Sequence, residues 1–92
     1  MVNIMMISWR VYIMRKEILA NMAKRAAAMF GKDEAFFTAE TPFGELGMKS
    51  VNYNQIINDL EDKYDIEIPF TEFCRQKTFG EAADFVEKLI EG

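Results

Sequence analysis

Hydrophobic positions along the chain repeat with helical rather than strand spacing. From Arg15 to Phe30, the apolar residues Ile18, Leu19, Met22, Ala26, Met29 and Phe30 recur one or two helical turns apart, with Lys24 and Arg25 off the stripe. Gly31 supplies a stop for this first helix. A second stripe of Tyr53, Ile56, Ile57, Leu60 and Tyr64 predicts a helix from about Ser50 to Tyr64, with Asn52, Asn54, Gln55, Asn58, Asp59, Glu61 and Asp62 facing elsewhere. Ile66 and Ile68 alternate with acids as a strand would, but there is no partner strand in sight. Pro69 is therefore read as opening a short helix over Phe70 to Gln76. Thr78 with Glu81 three residues on is a capping box, and Ala82, Phe85, Val86, Leu89 and Ile90 form a fourth stripe. Between the first two helices, breakers (Pro42, Gly44, Gly47) mix with apolar anchors (Phe36, Phe37, Phe43, Leu46), which predicts a long loop pinned to the core. The expected fold is all-α, a four-helix bundle with a long loop between helices 1 and 2 and a short third helix.

The first residues, M-V-N-I-M-M-I-S-W-R-V-Y-I-M, are apolar but interrupted by Asn3, Ser8 and Arg10. They fall short of the about 20 apolar residues needed to cross a bilayer. No basic stretch precedes them and no small-residue cleavage site follows, so they do not read as a secretory signal. Met14 begins M-R-K-E-I-L-A like an ordinary protein start. Residues 1–13 are accordingly read as an extension, either poorly ordered or an oligomer contact, and residues 14–92 as one domain. Trp9 receives no role.

Composition then removes several kinds of chemistry. The chain has 92 residues, no histidine and one cysteine. Ser-His and Cys-His schemes lack a base, and neither a zinc cluster nor an internal disulfide can form. Cys74 reads as a small buried hydrophobe, and a lone free cysteine suits a reducing cytoplasm. The net charge of -4 hides an asymmetry. Residues 1–32 hold six basic groups against Glu17, giving +5, whereas residues 33–92 hold five basic and fourteen acidic groups, giving -9. An acidic body repels nucleic acid and suits a partner with a basic patch. The basic first third is read as a solvated helix face, with a membrane-surface protein using the apolar and basic residues 1–30 as a further alternative.

Ser50 is the candidate for chemistry. A serine at a helix start can cap it, its hydroxyl accepting from a backbone N–H one turn in, a role that contributes about 1 kcal/mol. Alternatively, a phosphate esterified to the hydroxyl would lie at the positive end of the helix dipole, near free backbone N–H groups. Local chemistry permits both.

Three blocks bear on that choice. P-F-G-E-L-G-M-K-S-V resembles the approach to the modified serine of the acyl carrier protein family, usually Leu-Gly-x-Asp-Ser-Leu. D-L-E-D-K-Y-D-I-E-I-P is similar to that family's acidic helix end and Ile-x-Ile-Pro turn, and T-F-G-E-A-A-D-F-V-E-K-L to its last helix. The resemblance covers roughly half the chain, from Phe43 to Ile90. It implies a four-helix, non-catalytic carrier bearing 4'-phosphopantetheine on Ser50, transferred from coenzyme A by a phosphopantetheinyl transferase. An acyl group would ride on the arm's thiol for transfer, condensation or ligation by partner enzymes of a specialised fatty acid, lipid or polyketide-type pathway. The alternatives are a peptidyl or aminoacyl carrier, or an unmodified carrier-like interaction module. The resemblance also implies a partner-docking surface of Lys49, Val51, Asn54, Asp59, Glu61, Asp62 and Asp65. Ile56, Leu60, Tyr64, Ile68 and Val86 are core residues that would also line an acyl channel. Two departures stand beside the serine: Lys49 replaces the usual Asp, which helps organise a magnesium site during modification, and Val51 replaces Leu. The expected state is a cytoplasmic monomer with no nucleic-acid partner and no transmembrane segment.

Overall fold

The computed structural model describes the backbone of residues 2–92 and the side chains from Trp9 onward. Four helices form: α1 (Val2–Phe30), α2 (Ser50–Tyr64), α3 (Phe70–Cys74) and α4 (Phe79–Glu91). The described residues contain no strand, only an isolated antiparallel bridge between Pro42 and Thr78. The all-α bundle with its long first connection and short third helix is as the periodicity predicts.

Boundaries differ at two helices. α1 begins at Val2 rather than near Arg15 because no proline or glycine interrupts the chain before Phe30, so the backbone of the 1–13 extension is helical from its second residue. Met1 and the side chains before Trp9 lie outside the described residues. α3 ends at Cys74, two residues early, and Pro69 is its N-cap rather than its first helical residue.

The core gathers Ile18, Met22 and Ala26 from α1, Ile56, Ile57 and Leu60 from α2, Phe73 from α3, and Phe79, Ala82, Ala83 and Val86 from α4. Phe37 and Phe43 join it from the loop, and Leu46 packs against it. Phe43 stacks on Phe79 at 4.7 Å between ring centroids, and Phe37 stacks on the same ring at 5.6 Å. Such pairs contribute about 0.5–1.5 kcal/mol beyond their buried area, which pins the loop down. Phe36 is not an anchor: it is half exposed, packed edge-on against Phe37 and beneath the Lys32 ammonium. A 3-10 turn at Glu34–Phe36, capped by Asp33, lets only one of the two adjacent rings reach the core.

Backbone bonds tie the loop to the start of α4: Phe43 N–H to the Lys77 carbonyl (2.9 Å), Phe79 N–H to Thr41 (3.1 Å) and Gly80 N–H to Ala39 (2.8 Å). A Cβ at Gly80 would lie 2.9 Å from the Ala39 carbonyl oxygen, so only glycine allows this approach. On α4, Glu87 is buried with no hydrogen-bond partner for Oε2 among the described residues. Burial first, then the charges of Glu91 and Asp84, push its carboxyl above the ordinary range.

Candidate functional site

Gly47, at φ +64°, turns the chain into α2 with a left-handed conformation that costs a side-chain-bearing residue more than glycine. Lys49, in extended conformation, is the N-cap, and Ser50 is the first helical residue. The helix-capping reading of Ser50 therefore fails on position, since a cap must sit one residue earlier to accept from the first turn. Lysine offers no acceptor, so the start of α2 is held instead by Asn52, whose Oδ1 accepts from the Lys49 N–H at 2.9 Å.

This arrangement leaves Ser50 uncommitted. It is exposed, and its hydroxyl makes no hydrogen bond among the described residues. The N–H groups of Asn52 and Tyr53 both donate to the Lys49 carbonyl, so those of Ser50 and Val51 lie ahead of the helical ladder. The first turn of α2 holds no acid. A phosphate ester on Ser50 would find open N–H donors, the positive end of the helix dipole and the neighbouring Lys49 ammonium, so the residues present fit a phosphopantetheine linkage.

The residues of the expected docking surface divide. Lys49, Val51, Asn54, Asp62 and Asp65 are exposed, and Asp65 ends α2 in a left-handed conformation at φ 53°. Asp59 is instead engaged by Arg25 of α1, Nη2 donating to Oδ1 at 2.9 Å, a contact that raises the Arg25 pKa by hydrogen bonding first and charge second. Glu61 accepts from the Ile68 N–H at 2.8 Å and so ties the end of α2 to the segment before α3. Neither pairing has a local signal, because each partner lies in another segment of the chain.

Of the expected acyl-channel residues, the structure brings Ile56, Leu60, Ile68 and Val86 together in the core cluster, with Tyr64 at its edge. The Tyr64 hydroxyl donates to Glu17 Oε1 at 2.6 Å and accepts from Asn21 at 3.4 Å; burial, then Glu17, raises its pKa. The sequence reading missed Phe73 and Phe79, which lie fully buried beneath the approach to Ser50. Their signal was present, since each is an aromatic inside a predicted helix. Among the described residues no cluster of histidine, cysteine and acids is arranged to hold a metal, and no helix is long and apolar enough to cross a membrane.

Comparison with known proteins bears on this geometry. The profile of the family described as "Phosphopantetheine attachment site" matches residues 17–86. The chain is similar to an acyl carrier protein of Exiguobacterium sp. strain AT1b, 32% identical over 77 residues, covering 83% of this chain and 98% of that protein. It is 42% identical over 57 residues to an acyl carrier protein of Lactococcus lactis subsp. cremoris, covering 62% of this chain and 75% of that one. The chloroplastic acyl carrier protein SF2 of Brassica campestris is 35% identical over 60 residues, 65% of this chain but 45% of that protein. With one relative matched almost end to end and the profile running from the middle of α1 into α4, the chain belongs to the acyl carrier protein family, whose members bear covalent 4'-phosphopantetheine.

Proposed function

We propose that Ser50 is the residue that bears the prosthetic group, and that this carrier serves a specialised fatty acid, lipid or polyketide-type pathway in the cytoplasm. The observation that carries the assignment is the division of labour at the start of α2. Lys49 and Asn52 form the helix start, leaving the exposed Ser50 hydroxyl free. When bound, the arm supplies a terminal thiol that holds acyl groups as thioesters, while the chain is a carrier rather than a catalyst.

The chain's own residues serve placement. Exposed Val51, Asn54, Asp62 and Asp65 offer partner enzymes an apolar and acidic contact along α2. Asp59 and Glu61 hold α2 to α1 and to the segment before α3, so their contribution to docking is the rigidity of that surface. Ile56, Leu60, Ile68 and Val86 furnish the apolar wall against which a bound acyl chain would lie. Incubation with coenzyme A and a broad-specificity phosphopantetheinyl transferase, read by intact mass, is expected to add one phosphopantetheine to the wild type and none to Ser50→Ala. Equal loading of both variants would move the site elsewhere.

Lys49 favours a second reading, an unmodified interaction module, because it stands where the family usually has the acid beside the serine. Native protein that is wholly unmodified, and refractory to several transferases, would establish that reading instead. A peptidyl or aminoacyl cargo is distinguished from a fatty one by the mass carried on the thiol.

A further inference from the structure

α1 presents three faces: the other helices cover two, and the loop turn at Glu34–Phe36 covers the third only over the C-terminal half of α1. Glu17, Asn21 and Arg25, four residues apart, meet Tyr64 and Asp59 of α2. Arg15, Ile18 and Met22 turn toward the core, with Arg15 Nε donating to Asp84 of α4 at 2.6 Å. Trp9, Tyr12, Ile13 and Lys16 follow the i, i+3, i+4, i+7 spacing of a single helical stripe, and all four are exposed. Trp9 is 64% exposed, Tyr12 52% and Ile13 45%. The Trp9 and Tyr12 rings lie 5.9 Å apart, and the Lys16 ammonium sits 5.3 Å above Tyr12. Upstream in the sequence, the same register meets Val2, Met5 and Met6. Ten of the thirteen residues from Val2 to Met14 are hydrophobic, the exceptions being Asn3, Ser8 and Arg10.

A helix this apolar requires a cover, and charge identifies which. Through residue 16 the chain carries Arg10, Arg15 and Lys16 and no acid; the first acid, Glu17, is held by the Tyr64 hydroxyl. Pairing with a second copy would bring the Arg10 and Lys16 of one helix against those of the other, and like charges at an interface oppose association. An anionic lipid surface matches every component. Aromatic rings and aliphatic side chains enter the boundary between headgroups and acyl chains, while flanking arginine and lysine remain at the headgroups. Among the described residues no helix is long and apolar enough to cross a membrane, so the segment would lie in the plane of the surface.

We propose that the N-terminal part of α1 is an interfacial anchor that docks the protein on anionic membranes through Trp9, Tyr12 and Ile13, flanked by Arg10 and Lys16. Trp9 is the chain's single tryptophan and therefore reports directly on docking. Full-length protein is mixed with vesicles of phosphatidylcholine alone, or of phosphatidylcholine with phosphatidylglycerol, and followed by Trp9 emission, aqueous quenching and flotation. With the anionic vesicles, Trp9 emission is expected to move to the blue, lose access to aqueous quencher and accompany flotation of the protein. Neutral vesicles should bind at least tenfold more weakly. The double variant Arg10→Glu, Lys16→Glu should lose about thirtyfold in affinity for anionic vesicles. Helical circular dichroism checks that this variant remains folded. Ser50→Ala should float like the wild type, so this result stands or falls apart from the serine assignment. An unshifted Trp9 with anionic vesicles at low salt overturns the proposal. So does a concentration-dependent blue shift without lipid accompanied by a sedimenting dimer, which would assign the stripe to a second copy.

Discussion

Two long helices of this molecule begin in opposite ways. α4 starts with Thr78, whose hydroxyl accepts from the Glu81 N–H at 3.1 Å, while the Glu81 carboxylate accepts from the Lys77 N–H at 3.0 Å and adds negative charge at the positive end of the dipole. α2 starts with Lys49, whose side chain can accept nothing and carries the wrong charge for that end, and its first turn holds no acid. Local stability explains the first start and leaves the second unexplained. The start of α4 also receives the loop, through Phe79 and Gly80, and must be rigid. The start of α2 keeps its hydroxyl and leading N–H groups unfilled, as expected of a place where something is to be attached.

The largest test of this contrast is the exchange of roles between Ser50 and Thr78. Ser50→Ala should abolish phosphopantetheine loading, read by intact mass, and change the denaturation midpoint little. Thr78→Ala should load normally yet lose about 1 kcal/mol in urea unfolding, the usual cost of a lost cap. A somewhat smaller change is expected from Lys49→Asp, which supplies both an acceptor and the favourable charge and should gain about 0.5–1 kcal/mol in the same assay. If Lys49→Asp is instead destabilising, the lysine makes a contact that offsets its position. The smallest effect belongs to Asn52→Ala. The Lys49 N–H it frees is at an exposed helix end and can bond to water, so the loss should be about 0.5 kcal/mol. A loss as large as that of Thr78→Ala would mean that the two starts are equally well capped by different residues.

The bounds of α2 were legible because its stripe is regular and Gly47 marks the approach. For Ser50 the sequence offered two alternatives, and the resemblance could favour one without showing which residue does the capping. That answer depends on a one-residue difference between N-cap and first helical position, which periodicity does not resolve. Asp59 and Glu61 read as docking-surface residues, and their pairings were not legible because Arg25 lies 34 residues away and the Ile68 N–H reaches Glu61 only through the turn that follows α2. Phe36 and Phe37 read alike in the sequence, and a short 3-10 turn separates their fates. The start of the first helix was set too late for a different reason. A methionine resembling a start carries no conformational information, whereas the absence of any breaker between Val2 and Phe30 does.

α1 and α2 run antiparallel: Met29 meets Asn52 at one end of the pair, and Glu17 meets Tyr64 at the other. Ser50, the proposed attachment residue, and the N-terminal segment of α1 thus stand at opposite poles of a body 44 Å long. Whatever grips one pole leaves the other sterically clear. With Ser50 bearing the arm and the far end docked, as proposed, a transferase or acyl-handling enzyme would visit the serine without the far end letting go. A signal between the poles has no shorter route than the helix pair itself, so mutations along the Arg25–Asp59 and Glu17–Tyr64 contacts are where such communication would be felt.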